Sequence, residues 1–70
     1  MLDELPPFLT VGQAAKVLQL GRSKAYELTV EWERSNGAGG LPFVWFGRQK
    51  RVPRAAIEQF IERTLRHPVA

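Results

Sequence analysis

The sequence predicts a small, mostly α-helical domain that carries one β-hairpin. Three observations indicate this fold. Two short amphipathic segments flank a tight corner between residues 10 and 34, an aromatic and β-branched run follows a glycine-rich loop, and another amphipathic segment follows Pro53. A chain of 70 residues is expected to form one domain, spanning 1–70, around a small core that cannot enclose a large cavity.

The first helix is predicted to begin after Thr10. Thr10 is followed three residues later by Gln13, and this spacing is typical of a capping box, in which each side chain satisfies a backbone donor near the other. The residues that follow include apolar positions at the spacing of one helical face: Val11, Ala14, Ala15 and Leu18. One side of this helix is therefore expected to be buried.

A second helix is expected from Arg22 to Arg34. Gln19-Leu20-Gly21 would form the corner before it, with Leu20 turned inward and Gly21 at the cap position. The expected inner face comprises Ala25, Leu28, Thr29 and Trp32, and the outer face comprises Arg22, Ser23, Tyr26, Glu27 and Val30. Two helices joined by so short a turn fit a helix-turn-helix, whose second helix enters the major groove of DNA, and they also fit a generic helical hairpin.

A β-hairpin is expected after the glycine-rich segment 35–40, which ends the second helix and either passes phosphates or, as we favour, only spans the gap. The run 43–46 suits a strand, 47–50 a turn, and 51–52 a returning strand. Alternation would place Phe43 and Trp45 on one face and Val44 and Phe46 on the other. The hairpin is therefore either covered on both faces or leaves an aromatic ring exposed.

The two ends of the chain have simpler expectations. Pro6-Pro7 favours an extended lead, after which Phe8 and Leu9 lie against the core. Pro53 is expected to be the first residue of a last helix, which Pro68 ends. The inner face of that helix would comprise Ala56, Ile57, Phe60, Ile61, Thr64 and Leu65.

The positive charge is concentrated locally. The net charge is +3 and the isoelectric point is near 10.0. Residues 48–54 include four bases and no acid, whereas residues 1–7 include Asp3, Glu4 and no base. This distribution is consistent with a polyanionic partner.

Composition argues against several other classes of protein. Without cysteine and with a single histidine, His67, the chain is not expected to hold a disulfide, a metal or a cofactor, or to be an enzyme. No apolar run reaches membrane length, and the amino end does not resemble a signal peptide. We therefore expect a soluble cytoplasmic protein that does not bind membranes.

The order of these features resembles a known family. The residues that carry the resemblance are Leu9-Thr10-Val11, Ala14-Ala15, Leu18, Leu20, Arg22, Tyr26, Leu41-Pro42, Gly47-Arg48, Arg51-Val52-Pro53 and Ala56. This pattern, over residues 8–61, is similar to the excisionase-type helix-turn-helix family of the MerR-like winged-helix group. The resemblance implies a winged helix-turn-helix that binds double-stranded DNA, with the second helix in the major groove and the hairpin tip, 47–51, on the backbone or in the adjacent minor groove. The sequence departs from the family pattern at Gly21, where serine or threonine is usual, at Ala25 and Glu27, and in its longer 35–40 loop.

The expected DNA-binding residues are Arg22, Ser23, Lys24, Tyr26, Glu27, Arg48, Lys50 and Arg51. Arg22 and Ser23 can hydrogen-bond to base edges or phosphates at the helix N-terminus, whereas Lys24 suits a phosphate. Tyr26 can contact DNA or pack under the hairpin, and Glu27 can accept from a cytosine amino group or orient a neighbouring base. Arg48, Lys50 and Arg51 are the hairpin contacts, while Lys16 and Arg54 either touch flanking phosphates or only face solvent.

Three functions remain open at this stage. The first is an excisionase, or recombination directionality factor, that bends DNA, helps an integrase and binds beside further copies of itself. The second is a small transcription regulator of the same fold. The third is a protein-interaction module in which Trp45 and Phe46 form the partner surface.

Overall fold

The computed structural model describes residues 2–66 as three helices and a three-stranded sheet. A short 3-10 helix, Leu2–Glu4, precedes strand β1, Phe8–Leu9, and helices α1, Val11–Leu18, and α2, Arg22–Arg34. Strands β2, Val44–Phe46, and β3, Gln49–Pro53, lead into helix α3, Arg54–Arg66. The predicted fold, a mostly α-helical winged helix-turn-helix, is confirmed.

The start and end of α1 are those the sequence predicts. The backbone N–H of Gln13 donates to Thr10 Oγ1, and the N–H of Thr10 donates to Gln13 Oε1, each at 3.0 Å. After Leu18 the chain reverses through Gln19 in the left-handed conformation, with φ of 56°. The N–H of Leu20 then donates to the carbonyl of Ala15 at 2.8 Å, which satisfies an end carbonyl of the helix and fixes the corner.

Helix α2 presents its expected inner face to the core. Ala25 and Thr29 are completely buried, and Leu28 and Trp32 are half-buried. Gly21 is the N-cap, in extended conformation and without a side-chain cap. The short turn therefore holds α1 and α2 together through small residues, since Ala14, Ala15 and Ala25 let the two backbones approach closely.

The segment 35–40 spans the gap between α2 and the sheet along a defined path. Ser35 Oγ accepts a hydrogen bond from the N–H of Gly39 at 3.0 Å, and Arg63 donates to the carbonyl of Ala38. Gly40 has φ of 91°, and the next N–H, that of Leu41, donates to the carbonyl of Leu28 at 2.9 Å. The segment therefore ends by pressing Leu41, which is completely buried, against α2.

The sheet has the order β1-β3-β2, with both pairs antiparallel. Leu9 lies opposite Val52 in one pair, and Trp45 lies opposite Lys50 in the other. The expectation that Leu9 lies in the core is confirmed, but Phe8 is exposed, and the two residues form a third strand that the sequence did not predict.

Two boundaries of the hairpin differ from the prediction. The predicted four-residue turn is wrong, because Gln49 and Lys50 already pair with β2 and only Gly47 and Arg48 form the turn. Pro53 is the last residue of β3, opposite Phe8, and not the first residue of α3. It lies at the junction of β3 and α3. The N–H of the following residue, Arg54, donates to the carbonyl of Pro7 at 2.8 Å.

Only the first half of α3 belongs to the core. Ala56 and Ile57 are buried and Phe60 is partly buried, but Leu65 is 77% exposed. The prediction of a continuous inner face is therefore wrong for Ile61, Thr64 and Leu65, which are exposed, since the packed elements are short and α3 extends past them. The predicted end at Pro68 lies outside the described residues. Within residues 2–66 no helix has the length and apolar character needed to cross a bilayer.

Arg54, the first residue of α3, links this helix to the N-terminal lead. Its Nη1 donates to the carbonyl of Asp3 at 3.1 Å and to the carbonyl of Leu5 at 2.8 Å. The guanidinium therefore holds the N-terminal lead beside α3, which gives Arg54 a structural use whether or not it also meets a phosphate.

Candidate nucleic-acid interface

Two surfaces carry the residues expected to bind DNA. One is the solvent side of α2. The other is the wing, by which we mean β2, the Gly47–Arg48 turn and β3. The position of the wing relative to α2 determines which of these residues can act together.

The wing contacts one stripe of α2. Tyr26, Thr29 and Glu33 follow each other at helical spacing, and each meets the wing. Lys50 Nζ donates to Thr29 Oγ1 at 3.0 Å and lies 4.4 Å from the centre of the Tyr26 ring. Trp45 Nε1 donates to Glu33 Oε2 at 3.1 Å. The wing therefore lies along the length of this stripe.

Arg22 begins the same stripe, four residues before Tyr26. It is exposed, and its guanidinium lies beside Gly12 of α1, where an added Cβ would stand 3.2 Å from Nη2. No hydrogen bond or ion pair within residues 2–66 engages this guanidinium. Its five donors are therefore available for an external acceptor.

The other α2 candidates occupy different sides of the helix. Ser23 and Glu27 are exposed on the outward side, adjoining the stripe. Lys24 is turned by about 200° from Arg22, as a helix advances roughly 100° per residue. It lines an apolar groove between α2 and α3 together with Leu28 and Phe60. The structure thus brings Arg22 and Tyr26 to the wing side, places Ser23 and Glu27 beside them, and separates Lys24 from them.

The tip of the wing carries an exposed arginine. Arg48 follows Gly47, which adopts φ of 64° and has open space around it. Arg51 is half-buried and folds back on its own strand, with Nη1 donating to the Lys50 carbonyl at 2.8 Å and Nη2 donating to Gln49 Oε1 at 2.7 Å. Arg48 can therefore extend farthest from the wing, while Arg51 presents a fixed guanidinium edge.

Lys50 points into the protein rather than away from the tip. Besides its bond to Thr29, its ammonium lies 4.7 Å from the ring centre of Phe43 and 5.4 Å from that of Trp45. Strand alternation explains this, because Lys50 and the buried Val52 share one face of β3. The predicted turn, 47–50, included Lys50, so strand alternation was not expected at this residue.

The aromatic residues of β2 divide between the two faces of the sheet. Trp45 packs edge to face on Phe43, with ring centres 5.5 Å apart, and Phe46 packs similarly on Phe8 at 5.1 Å. Trp45 is 48% exposed and Phe46 is 53% exposed. Of the two alternatives that the sequence left open for the hairpin, the structure shows the second, because each face of the sheet carries an exposed aromatic ring.

Sequence reasoning missed Thr29 and Glu33, which receive the two side-chain bonds from the wing. Their position on the Tyr26 stripe was the available signal. Among residues 2–66, acidic side chains form no cluster suited to a metal ion, and His67 lies outside the described residues.

Comparison with known proteins identifies the family. The profile of a family described as "Helix-turn-helix domain" matches residues 8–64, from β1 almost to the end of α3. This chain belongs to the excisionase-type helix-turn-helix family. A protein from Saccharopolyspora erythraea described as "Probable excisionase" is 40% identical over 57 residues, which cover 81% of this chain and 51% of that protein. The chain thus spans about half the length of this curated relative. No solved structure gave a significant match.

Membership in the helix-turn-helix family assigns the general role of α2. In this arrangement the second helix is the recognition helix, and its N-terminal residues face base edges in the major groove. In this protein the second helix of the arrangement is α2, which begins with Arg22. The family is a DNA-binding family and not a catalytic one.

Proposed function

We propose that this protein binds a specific site on double-stranded DNA as an excisionase, bending the DNA and assisting an integrase in excising a mobile element. The observation that carries the proposal is the stripe of α2 that begins at the unengaged Arg22 and continues under the wing. A recognition helix and a basic wing fixed along one side of it can engage adjacent grooves of one duplex. The similarity to a probable excisionase favours recombination over other uses of such a DNA reader.

The proposed base contacts come from the N-terminal half of α2. Arg22 forms a fork to guanine O6 and N7, or clamps a phosphate, and Ser23 donates beside it. Glu27 accepts from a cytosine amino group, a role that suits a carboxylate on the outward side of the helix. Tyr26 is half exposed while its ring faces Lys50, so its hydroxyl is the part offered to a phosphate.

The proposed phosphate contacts are Lys24 on α2 and Arg48 and Arg51 on the wing. Lys24 is turned so far around α2 from Arg22 that it can reach a phosphate on the opposite side of the major groove. Arg48 reaches the DNA backbone or the adjacent minor groove from the wing tip. Arg51 contacts a phosphate beside it with a guanidinium that its own strand holds in place.

Salt dependence provides the first test. With three phosphate contacts, log affinity should fall against log salt with a slope of about −2.7, so that raising salt from roughly 50 to 200 mM weakens binding about 40-fold. Fluorescence anisotropy on a duplex selected from a random pool would measure this. Lys24→Ala and Arg48→Ala should each reduce the slope by about one.

The matched control for these variants is Arg66→Ala. Arg66 is an exposed arginine on α3 that pairs with Glu62 at 2.6 Å, away from the proposed interface. Its loss should leave the slope unchanged. A flat salt response of the unmodified protein would refute DNA binding and favour the protein-interaction function.

Bending separates an excisionase from a transcription regulator of the same fold. We expect the selected site, placed at different positions in permuted fragments, to give position-dependent gel mobility, with several copies assembling along it. Addition of the protein to an integrase reaction should raise excision. Specific binding without bending and without an effect on excision would favour the regulator.

A further inference from the structure

The side chain of Lys50 reaches from β3 to α2, where a hydroxyl group and three aromatic rings surround its ammonium group. Its Nζ donates to Thr29 Oγ1 at 3.0 Å, and the Thr29 hydroxyl donates onward to the carbonyl of Tyr26 at 2.6 Å. Thr29 is completely buried. The ammonium, the hydroxyl and the carbonyl therefore form a directed chain of hydrogen bonds, in which each bond strengthens the next.

Three aromatic rings complete the site around the same ammonium. The ring of Tyr26 belongs to α2, that of Phe43 precedes the wing, and that of Trp45 belongs to β2, with centres 4.4, 4.7 and 5.4 Å from Nζ. All three lie within the range of a cation–π interaction. To reach a phosphate, the ammonium would have to give up the hydrogen bond to Thr29 and the contacts with all three rings.

Side chains, not backbone, join the wing to the recognition helix. Within residues 2–66 no backbone hydrogen bond connects β2 or β3 to α2, and the direct side-chain bonds are those of Trp45 to Glu33 and of Lys50 to Thr29. The bond from Trp45 is exposed, whereas that from Lys50 is partly buried. The hydrogen bond from Lys50 is thus the better shielded from water of the two side-chain bonds that can set the angle between the wing and α2.

We propose that Lys50 is a positioning residue, which ties the wing to the recognition helix through Thr29 and the three rings and does not contact DNA phosphate. This inference rests on the proposed DNA-binding function and deepens it. It gives Lys50, a basic residue of the wing, the role of orienting the wing instead of neutralising a phosphate. The wing then contributes Arg48 and Arg51 to the duplex, and Lys50 holds them at a fixed distance from Arg22.

The test compares Lys50→Met with Thr29→Val, a matched partner that is buried and cannot touch DNA. Each variant should weaken binding to the selected duplex by roughly tenfold, and the double variant should be no weaker than the weaker single, because both remove one link. The salt slope should stay unchanged in all three. Lys50→Arg, which keeps a cation and donors, should restore much of the affinity.

A second measurement reports the position of the wing. The chain has no cysteine, so Val44→Cys, at an exposed position of β2, gives a unique attachment point on the wing for a DNA-cleaving reagent. Cleavage should be confined to a few adjacent nucleotides in the otherwise unmodified chain and spread along the duplex when Lys50→Met or Thr29→Val is added.

Two outcomes would overturn the proposal. A fall of the salt slope by about one in Lys50→Met, with full affinity in Thr29→Val, would make Lys50 a phosphate contact. Strictly additive effects of the two substitutions on the unfolding equilibrium, measured without DNA, would also refute the link. Failure of DNA binding itself would instead appear as a flat salt response of the unmodified protein, while the unfolding measurement would still decide the role of Lys50.

Discussion

Replacing Arg22 with alanine is expected to reduce sharply the discrimination between the selected duplex and a duplex of scrambled sequence, and to remove it at the base pair that Arg22 reads. Arg22 stands at the first position of the recognition helix, and no group within residues 2–66 engages its guanidinium. Loss of a bidentate fork to guanine costs about 1–3 kcal/mol at that base pair, which is up to roughly a hundredfold in affinity. Competition binding with duplexes substituted at single base pairs would locate the guanine concerned.

Arg34→Ala is the matched control, because Arg34 is an exposed arginine at the other end of the same helix. It should leave the ranking of duplexes intact. If Arg22→Ala bound all the substituted duplexes in the original order, another residue would be the reader of the bases, and Ser23 and Glu27 would be the next to replace.

Gly40→Ala is expected to unfold most of the protein. Gly40 has φ of 91°, and a Cβ built on it would lie 2.4 Å from the carbonyl oxygen of Leu28 and 2.6 Å from the nitrogen of Trp32. Both are backbone atoms of α2 and cannot move aside. The left-handed strain and the overlap together cost about 3 kcal/mol or more, which is comparable to the whole stability of so small a domain. Urea titration followed by circular dichroism would measure the loss.

Gly21→Ser provides the contrast, because a Cβ on Gly21 meets nothing within 4 Å and its φ is −66°. Serine at this N-cap should raise the free energy of unfolding by a few tenths of a kcal/mol. A Gly40→Ala protein with an unchanged urea midpoint would show that the segment 35–40 does not pack on α2 as described.

Local signals in the sequence predicted α1 and α2 well. The capping box at Thr10 and Gln13, the corner before Gly21 and the stop after Arg34 each depend on residues within one or two helical turns. The inner face of α2 followed from its spacing in the same way. These elements make up the helix-turn-helix, so the part of the candidate site that lies on α2 could be placed from the sequence.

Features that depend on distant pairing could not be predicted in this way. Strand β1 is only Phe8 and Leu9, too short for an alternating pattern, and it exists because β3 offers it a partner. The inward direction of Lys50 depends on the true register of the hairpin and on Thr29, which is distant in sequence. The sequence therefore indicated which residues are basic but not which of them the fold had already engaged.

The pairing of β1 with β3 has a consequence for the order of folding. Helices α1 and α2 contact each other through residues that are close in the chain, whereas Leu9 of β1 has no strand partner until Val52 has been made. We expect α1 and α2 to form early and the sheet to close last, at the rate of the slowest loop closure. A nascent or truncated chain that lacks residues 44–53 would then contain the recognition helix without the wing. We expect such a chain to bind the duplex only after these residues have been added and have folded.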